Sequence, residues 1–161
     1  MAERVFTQTF VVVGAVIEKN GRFLLVKEAG GTDKGKWNFP AGWLDIGESP
    51  ATGIKREVEE ETGHEFIPDA ILGIYSLVRK DCLKTLGCIG HPVKIIYLGQ
   101  IADDIISDLQ GDVSEIKWFS PEDIDAMDSK ALRDMDIKNE IRDYLAGKKY
   151  PLELLTHTVQ N

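Results

Sequence analysis

Apolar and polar residues alternate along this chain in a way that predicts short strands and few helices. From Val5 to Glu18 the residues are mostly β-branched or aromatic. Asn20-Gly21, the strongest short hairpin signal, separates them from Arg22–Lys27, so two antiparallel strands are expected to open the fold. Ala29–Lys36 reads as a loop and Trp37–Pro40 as a short strand. Ser49-Pro50 has the form of an N-cap followed by proline at the first helical position, and Gly63 stands where a helix would stop, so Pro50–Thr62 is expected to be helical. Ile71–Arg79, Val93–Ile101 and Val113–Phe119 read as strands, with Cys82–His91 as a loop. A second Ser-Pro start at Ser120-Pro121, and an amphipathic stretch from about Lys130 to Ala146 ended by Gly147, predict the remaining helices. Strands and helices in this irregular order give an α+β fold. No G-x-G-x-x-G follows the first strand and no Walker phosphate loop is present.

The faces of the Pro50–Thr62 helix are unequal. At about 100° per residue, Glu57, Glu60 and Glu61 fall within an arc of about 100°, while Ala51, Ile54 and Val58 occupy the opposite side. Like charges three and four residues apart destabilise a helix, and acids at its C-terminal end oppose the dipole. Selection for stability alone would avoid this. Oxygen ligands so crowded suit a hard divalent cation, Mg²⁺ or Mn²⁺; a solvated acidic face is the other reading. Gly53, inside the helix, is a poor helix former and costs helix stability.

Composition narrows the class. The 161 residues carry 19 Lys and Arg against 27 Asp and Glu, a formal net charge of −8. With 43% hydrophobic and 29% charged residues the chain is too apolar for disorder. An acidic chain without a basic stripe is not expected to bind nucleic acid or an anionic membrane. No apolar run approaches the ~20 residues of a transmembrane helix and no signal peptide is visible, so a cytoplasmic protein is expected. Cys82 and Cys88 are expected to be reduced and incidental, because their spacing, even with His91, does not match a zinc site. One domain over 1–150 with a C-terminal tail over 151–161 is the simplest division.

Gly42, Glu48, Arg56-Glu57-Val58, Glu60-Glu61 and Gly63, at these spacings, resemble the signature of the Nudix (MutT-like) hydrolases. Trp37–Gly42 is similar to the family's entry to the motif, and Glu115–Glu122 to the strand and helix start that close such domains. The resemblance spans about Val5 to Lys148, and departs from the pattern at His64, where the family has an aliphatic residue. It implies a mixed sheet sandwiched between helices, and hydrolysis of a nucleoside diphosphate linked to another group. Glu57, Glu60, Glu61 and the main-chain oxygen of Gly42 would bind Mg²⁺, with Mn²⁺ as the alternative. Glu48 would pair with Arg56 in a structural role, and Gly53, one turn before Glu57, would leave room for a substrate phosphate. Glu60 is the first candidate for the base, then Glu57, with Glu115 as a candidate outside the motif.

The tail Tyr144…Gly147–Glu153 resembles that of a bacterial subgroup that includes the phosphatase for the thiamine pyrimidine precursor, which also attacks nucleoside tri- and diphosphates. That implies a small phosphorylated substrate, a nucleoside di- or triphosphate or a related diphosphate. The alternatives are ADP-ribose or dinucleoside polyphosphates, or a non-catalytic nucleotide-sensing module. Asn38 stands where an oxidised-purine sanitising member places a base-binding Asn, and Phe39, Trp43 and Tyr75 are aromatic candidates for the heterocycle. Lys27, Arg79 and Lys94 are candidate phosphate donors, and the Ala29–Lys36 and Asp81–His91 loops are expected to govern selectivity. A homodimer is possible in this family.

Overall fold

The computed structural model describes residues 10–80, 91–110 and 112–160. The Val5–Thr9 part of the expected first strand, both cysteines, and the 81–90 part of the second loop lie outside the described residues. The chain forms β1 (Val11–Lys19), β2 (Arg22–Glu28), β3 (Trp37–Asn38), β4 (Ala41–Trp43), α1 (Pro50–Thr62), β5 (His64–Ser76), β6 (Val93–Ile105), β7 (Val113–Phe119), α2 (Pro121–Ala126) and α3 (Ile137–Leu145). The seven strands run in the order β3-β2-β1-β6-β5, with β4 added to β1 and β7 to β2. The pairing of β1 with β6 is parallel and the others are antiparallel, so the sheet is mixed. No helix among the described residues is long and apolar enough to cross a membrane.

Strand alternation makes two cores. Val13, Ala15 and Ile17 of β1 pack with Ile54 and Val58 of α1 on one face. Val16, Phe23, Leu25 and Phe119 pack with Ile124 of α2 and Ile137 and Ile141 of α3 on the other. Helices therefore cover both faces, the α+β sandwich that the resemblance implies.

The limits of α1 are set by local chemistry. Ser49 Oγ accepts the Thr52 N–H at 3.1 Å, Pro50 follows, and Gly63 takes the left-handed φ of 73° that ends the helix. At the hairpin, Asn20 and Gly21 both adopt positive φ, as a tight turn between twisted strands requires.

Two segments differ most from the sequence expectation. Strand β5 begins at His64, directly after α1, and ends at Ser76, where Ile71–Arg79 was expected. Pro68 is accommodated because β5 is the outer strand of the sheet path and its register slips between Pro68 and Ala70. The helix expected from Lys130 starts only at Ile137, because residues 131–133 lie along β3. Trp37 N–H donates to Ala131 O at 2.7 Å, and Arg133 N–H to Trp37 O at 2.9 Å. The C-terminal tail docks on the domain. Tyr150 and Ile71 exchange both backbone hydrogen bonds, and Leu152 and Leu155 pack against the α1-side core.

Candidate active site

The last two turns of α1 bring the acidic face against β4. Glu57 is almost buried, and a Cβ at Gly42 would fall inside its carboxylate, so only glycine lets the strand approach so closely. Arg56 sits at the centre. Its Nε and Nη2 donate to the two oxygens of Glu48, both at 3.0 Å, its Nη1 to Glu57 at 2.7 Å, and its Nη2 also to the Trp43 carbonyl at 3.3 Å. Glu60 is 3.5 Å from the same guanidinium, and Glu61 accepts the Ala41 N–H at 2.9 Å. As these side chains are turned, no three His, Cys, Asp or Glu side chains among the described residues converge on one point.

Arg56 holds the Glu48 carboxyl below its ordinary value, whereas burial pushes Glu57 up and lifts Glu61 to about 8. The Ala41 amide only partly offsets the shift at Glu61. Glu48 thus ties the loop after β4 to α1 by a two-pronged ion pair. Gln in its place should lower stability by about 1–2 kcal/mol at neutral pH, given that Arg56 is partly exposed. A carboxyl whose folded pKa is depressed stabilises above its ordinary 4.5 and loses that contribution as pH falls through the folded value. Thermal melts from pH 7 to pH 3 should therefore show wild type and Glu48→Gln converging at the acid end.

Glu57, Glu60 and Glu61 form one wall of a cleft of about 590 Å³. Eight acidic and four basic side chains line it among the described residues. The other walls come from the loop after β2, the residues around Arg79, and the 131–134 segment. Asp33, in the Gly31–Asp33 turn, is gripped by Arg79 at 3.0 and 3.2 Å and by Lys36 at 3.0 Å. Burial would raise its pKa, but these cations outweigh burial and lower it. Arg133 Nη1 donates to Glu28 at 2.7 Å. Lys94 is buried among Glu140 at 2.8 Å, Asp136 at 3.1 Å and Asp134 at 4.0 Å; burial opposes its charge, but the three acids keep it protonated.

The structure brings together in this cleft Gly42, Glu57, Glu60 and Glu61, with Arg56, Asn38, Trp43 and Arg79 of the expected site. It does not bring Phe39, Tyr75 or Glu115 to the lining. Phe39 follows Asn38, so its side chain turns the other way and enters the core on the α2 and α3 side. The Tyr75 hydroxyl donates to Asp143 of α3 at 2.9 Å. Glu115 stands directly opposite Lys27 in the β2–β7 register and pairs with it at 3.2 Å, which engages both residues at once. Gly53 leaves no space for a phosphate: a Cβ there would meet Glu48 and Leu44, each at 2.9 Å, so its small size serves the Glu48–Arg56 clamp. Gly63 caps α1 outside the cleft, and His64, half-buried, has Nδ1 2.9 Å from the Ala102 carbonyl oxygen.

Sequence reasoning missed Glu28, Asp33, Arg133 and Asp134. The one available signal was the Ala29–Lys36 loop, whose residues 30–33 do line the cleft.

Comparisons with known proteins agree with this geometry. A family model described as the NUDIX domain matches residues 7–139. The phosphatase NudJ of Escherichia coli K12 is 32% identical over 147 residues, covering 90% of this chain and 89% of its own. A solved NUDIX hydrolase from Nitrosomonas europaea superposes with a TM-score of 0.80 at 36% identity, over 92% of this chain and 96% of that one. A MutT protein from Methanosarcina mazei Go1 does so with a TM-score of 0.67 at 28% identity, over 86% and 95%.

Proposed function

The chain belongs to the NUDIX family of hydrolases acting on phosphoric anhydrides, and on that premise we propose that it is a Mg²⁺-dependent pyrophosphohydrolase or phosphatase. Its substrate is a nucleoside di- or triphosphate or a related small diphosphate. The observation that carries the reading is the cleft itself, in which Glu57, Glu60 and Glu61 of the family motif stand among eight carboxylates and four cations of the described residues. A polyphosphate would be repelled there unless divalent cations accompany it.

The donors suit such an ion. They are all oxygens, two of the carboxyls are pushed up by burial, and Gly42 leaves its strand close enough for a carbonyl to join them. Glu57, Glu60, Glu61 and the Gly42 carbonyl would hold Mg²⁺, or Mn²⁺ in its place. Bound there, the ion supplies charge neutralisation and Lewis acidity toward phosphoryl oxygens. Glu57 and Glu60 would turn from Arg56, which keeps its hold on Glu48 and so keeps the loop in place. Glu60, with the more exposed carboxylate, takes the proton of the attacking water; Glu57 is the second candidate.

Trp43, about half exposed at the cleft, offers a ring face for a heterocycle, and the nearly buried Asn38 offers an amide to its edge. Arg79, bound by Asp33 and Asp134, is fixed in the same wall. The E. coli relative, a phosphatase by name, supports release of phosphate from a small substrate.

The test is phosphate and pyrophosphate release over a panel: nucleoside di- and triphosphates, oxidised guanine nucleotides, ADP-ribose, diadenosine polyphosphates and the thiamine pyrimidine diphosphate. One substrate should lead by an order of magnitude or more, and Asn38→Ala should lower kcat/KM for it about tenfold while sparing poor substrates. An equal change for purine, pyrimidine and non-nucleotide substrates contradicts the role given to Asn38.

A further inference from the structure

We propose that Arg133 is the anion anchor of the cleft, a specificity-determining residue that takes a phosphoryl oxygen of the substrate and whose strength is set by Glu28. The inference rests on the hydrolase reading of the cleft and adds a residue outside the family motif.

Four basic side chains line the cleft among the described residues, and three are committed elsewhere. Arg56 is clamped to Glu48 and reaches Glu57 and Trp43 with its remaining donors. Lys94 is 4% exposed and enclosed by three acids. Arg79 is gripped by both oxygens of Asp33 and lies 3.3 Å from Asp134. Arg133 differs. Its guanidinium makes one hydrogen bond among the described residues, to Glu28, and its side chain is 31% exposed. Its Nε is buried without a hydrogen-bond partner, because Asp33 stands too far off at 3.6 Å. A buried guanidinium N–H without an acceptor is rare in native proteins.

The group is also pre-positioned. The backbone of residues 131–133 is locked to β3 by the two bonds with Trp37, which puts Arg133 in the wall beside Asn38. Glu28 at the end of β2 holds Nη1 and the buried Nε lies beside Asp33, which leaves Nη2, without a hydrogen bond among the described residues, to donate to a phosphoryl oxygen. A carbonyl or a neutral ring would bring no charge to it, and a carboxylate less than the phosphoryl groups of a di- or triphosphate. The ligand class is therefore a phosphoryl group of a di- or triphosphate. Glu28, an anion in a cleft that receives anions, acts as the counterweight. It fixes Arg133 and at the same time competes with the substrate for it.

The two residues predict effects of opposite sign, which a merely structural pair would not give. The probe is a methylene-bridged nucleoside diphosphate titrated calorimetrically in Mg²⁺, with the uncharged nucleoside as control. Arg133→Gln should weaken binding of the diphosphate about tenfold or more, leave the nucleoside unchanged, and raise KM in hydrolysis with kcat within about threefold. Arg133→Lys should recover part of the loss, since charge returns without the planar guanidinium that Glu28 holds in place. Glu28→Gln should tighten diphosphate binding by a few-fold. Thermal melts identify any variant that fails to fold, and Arg133→Lys and Glu28→Gln then carry the test. Unchanged affinity in Arg133→Gln, or a loss in Glu28→Gln as large as that in Arg133→Gln, overturns the proposal. A wild type that hydrolyses nothing on the panel while Arg133→Gln still loses the diphosphate would overturn the hydrolase reading and leave the anchor standing. Normal turnover and KM in Arg133→Gln would do the reverse.

Discussion

Glu60→Gln is expected to cut turnover on the best substrate by about 10²–10⁴-fold, the usual contribution of a positioned general base. The substitution removes one charge and almost no volume, and the carboxylate it replaces is 39% exposed. Its one ionic contact among the described residues is the 3.5 Å approach to Arg56, an i,i+4 pair worth about 0.5 kcal/mol or less. The thermal midpoint should therefore move little, so the loss belongs to the site, and a loss that persists at saturating Mg²⁺ belongs to the base. Glu115→Gln makes the matching control. Glu115 is paired with Lys27 and lies outside the cleft lining, so turnover should stay within about twofold. Retained activity in Glu60→Gln would pass the base role to Glu57. Loss in Glu115→Gln would bring that strand into the reaction.

Gly42→Ala is expected to be nearly as damaging by another route. The added methyl would occupy the space of the Glu57 carboxylate, so that carboxylate must swing away, or β4 and the end of α1 must part. Overpacking of this kind costs about 1–3 kcal/mol, and either response displaces a group proposed to hold Mg²⁺, the Glu57 carboxylate or the Gly42 carbonyl. Positioning errors near 1 Å cost on the order of 10²-fold in rate. Kinetics and melting together should show a loss of that size in kcat in a protein that still folds. Gly53→Ala is the useful comparison, because its Cβ displaces Glu48 and Leu44 and leaves Glu57 in place. It should cost less activity than Gly42→Ala. Equal losses in the two would mean that the helix as a whole, and not the β4–Glu57 contact, governs the site.

What the sequence discloses and what it conceals follow one physical division. The bounds of α1 were legible because Ser49, Pro50 and Gly63 act through bonds within a few residues, and the acidic arc was legible because helix periodicity places Glu57, Glu60 and Glu61 together. The Asn20-Gly21 hairpin belongs to the same local class. The 131–133 segment was misread as helix because its amphipathic pattern is ordinary, while its partner, Trp37, is almost a hundred residues away in the chain. Glu28, Asp33, Arg133 and Asp134 were missed for the same reason. They come from three separate stretches of chain and meet only when β2, β3 and the segment before α3 are assembled. Period-two alternation shows that Asn38 and Phe39 face opposite ways, so a stricter reading of that short strand would have kept one and dropped the other. The Lys27–Glu115 pairing needed the register of β7 on β2, which no local pattern contains.

The measurement that bears most directly on the central claim is phosphate and pyrophosphate release from the substrate panel, with Mg²⁺ and with a chelator, for wild type beside Glu60→Gln. The expected result is turnover that requires the cation, disappears with the chelator, and falls by two or more orders of magnitude in the variant. Turnover indifferent to the chelator, or a panel without turnover to which nucleotides nevertheless bind tightly, would contradict it. In the latter case the cleft would serve as a nucleotide sensor.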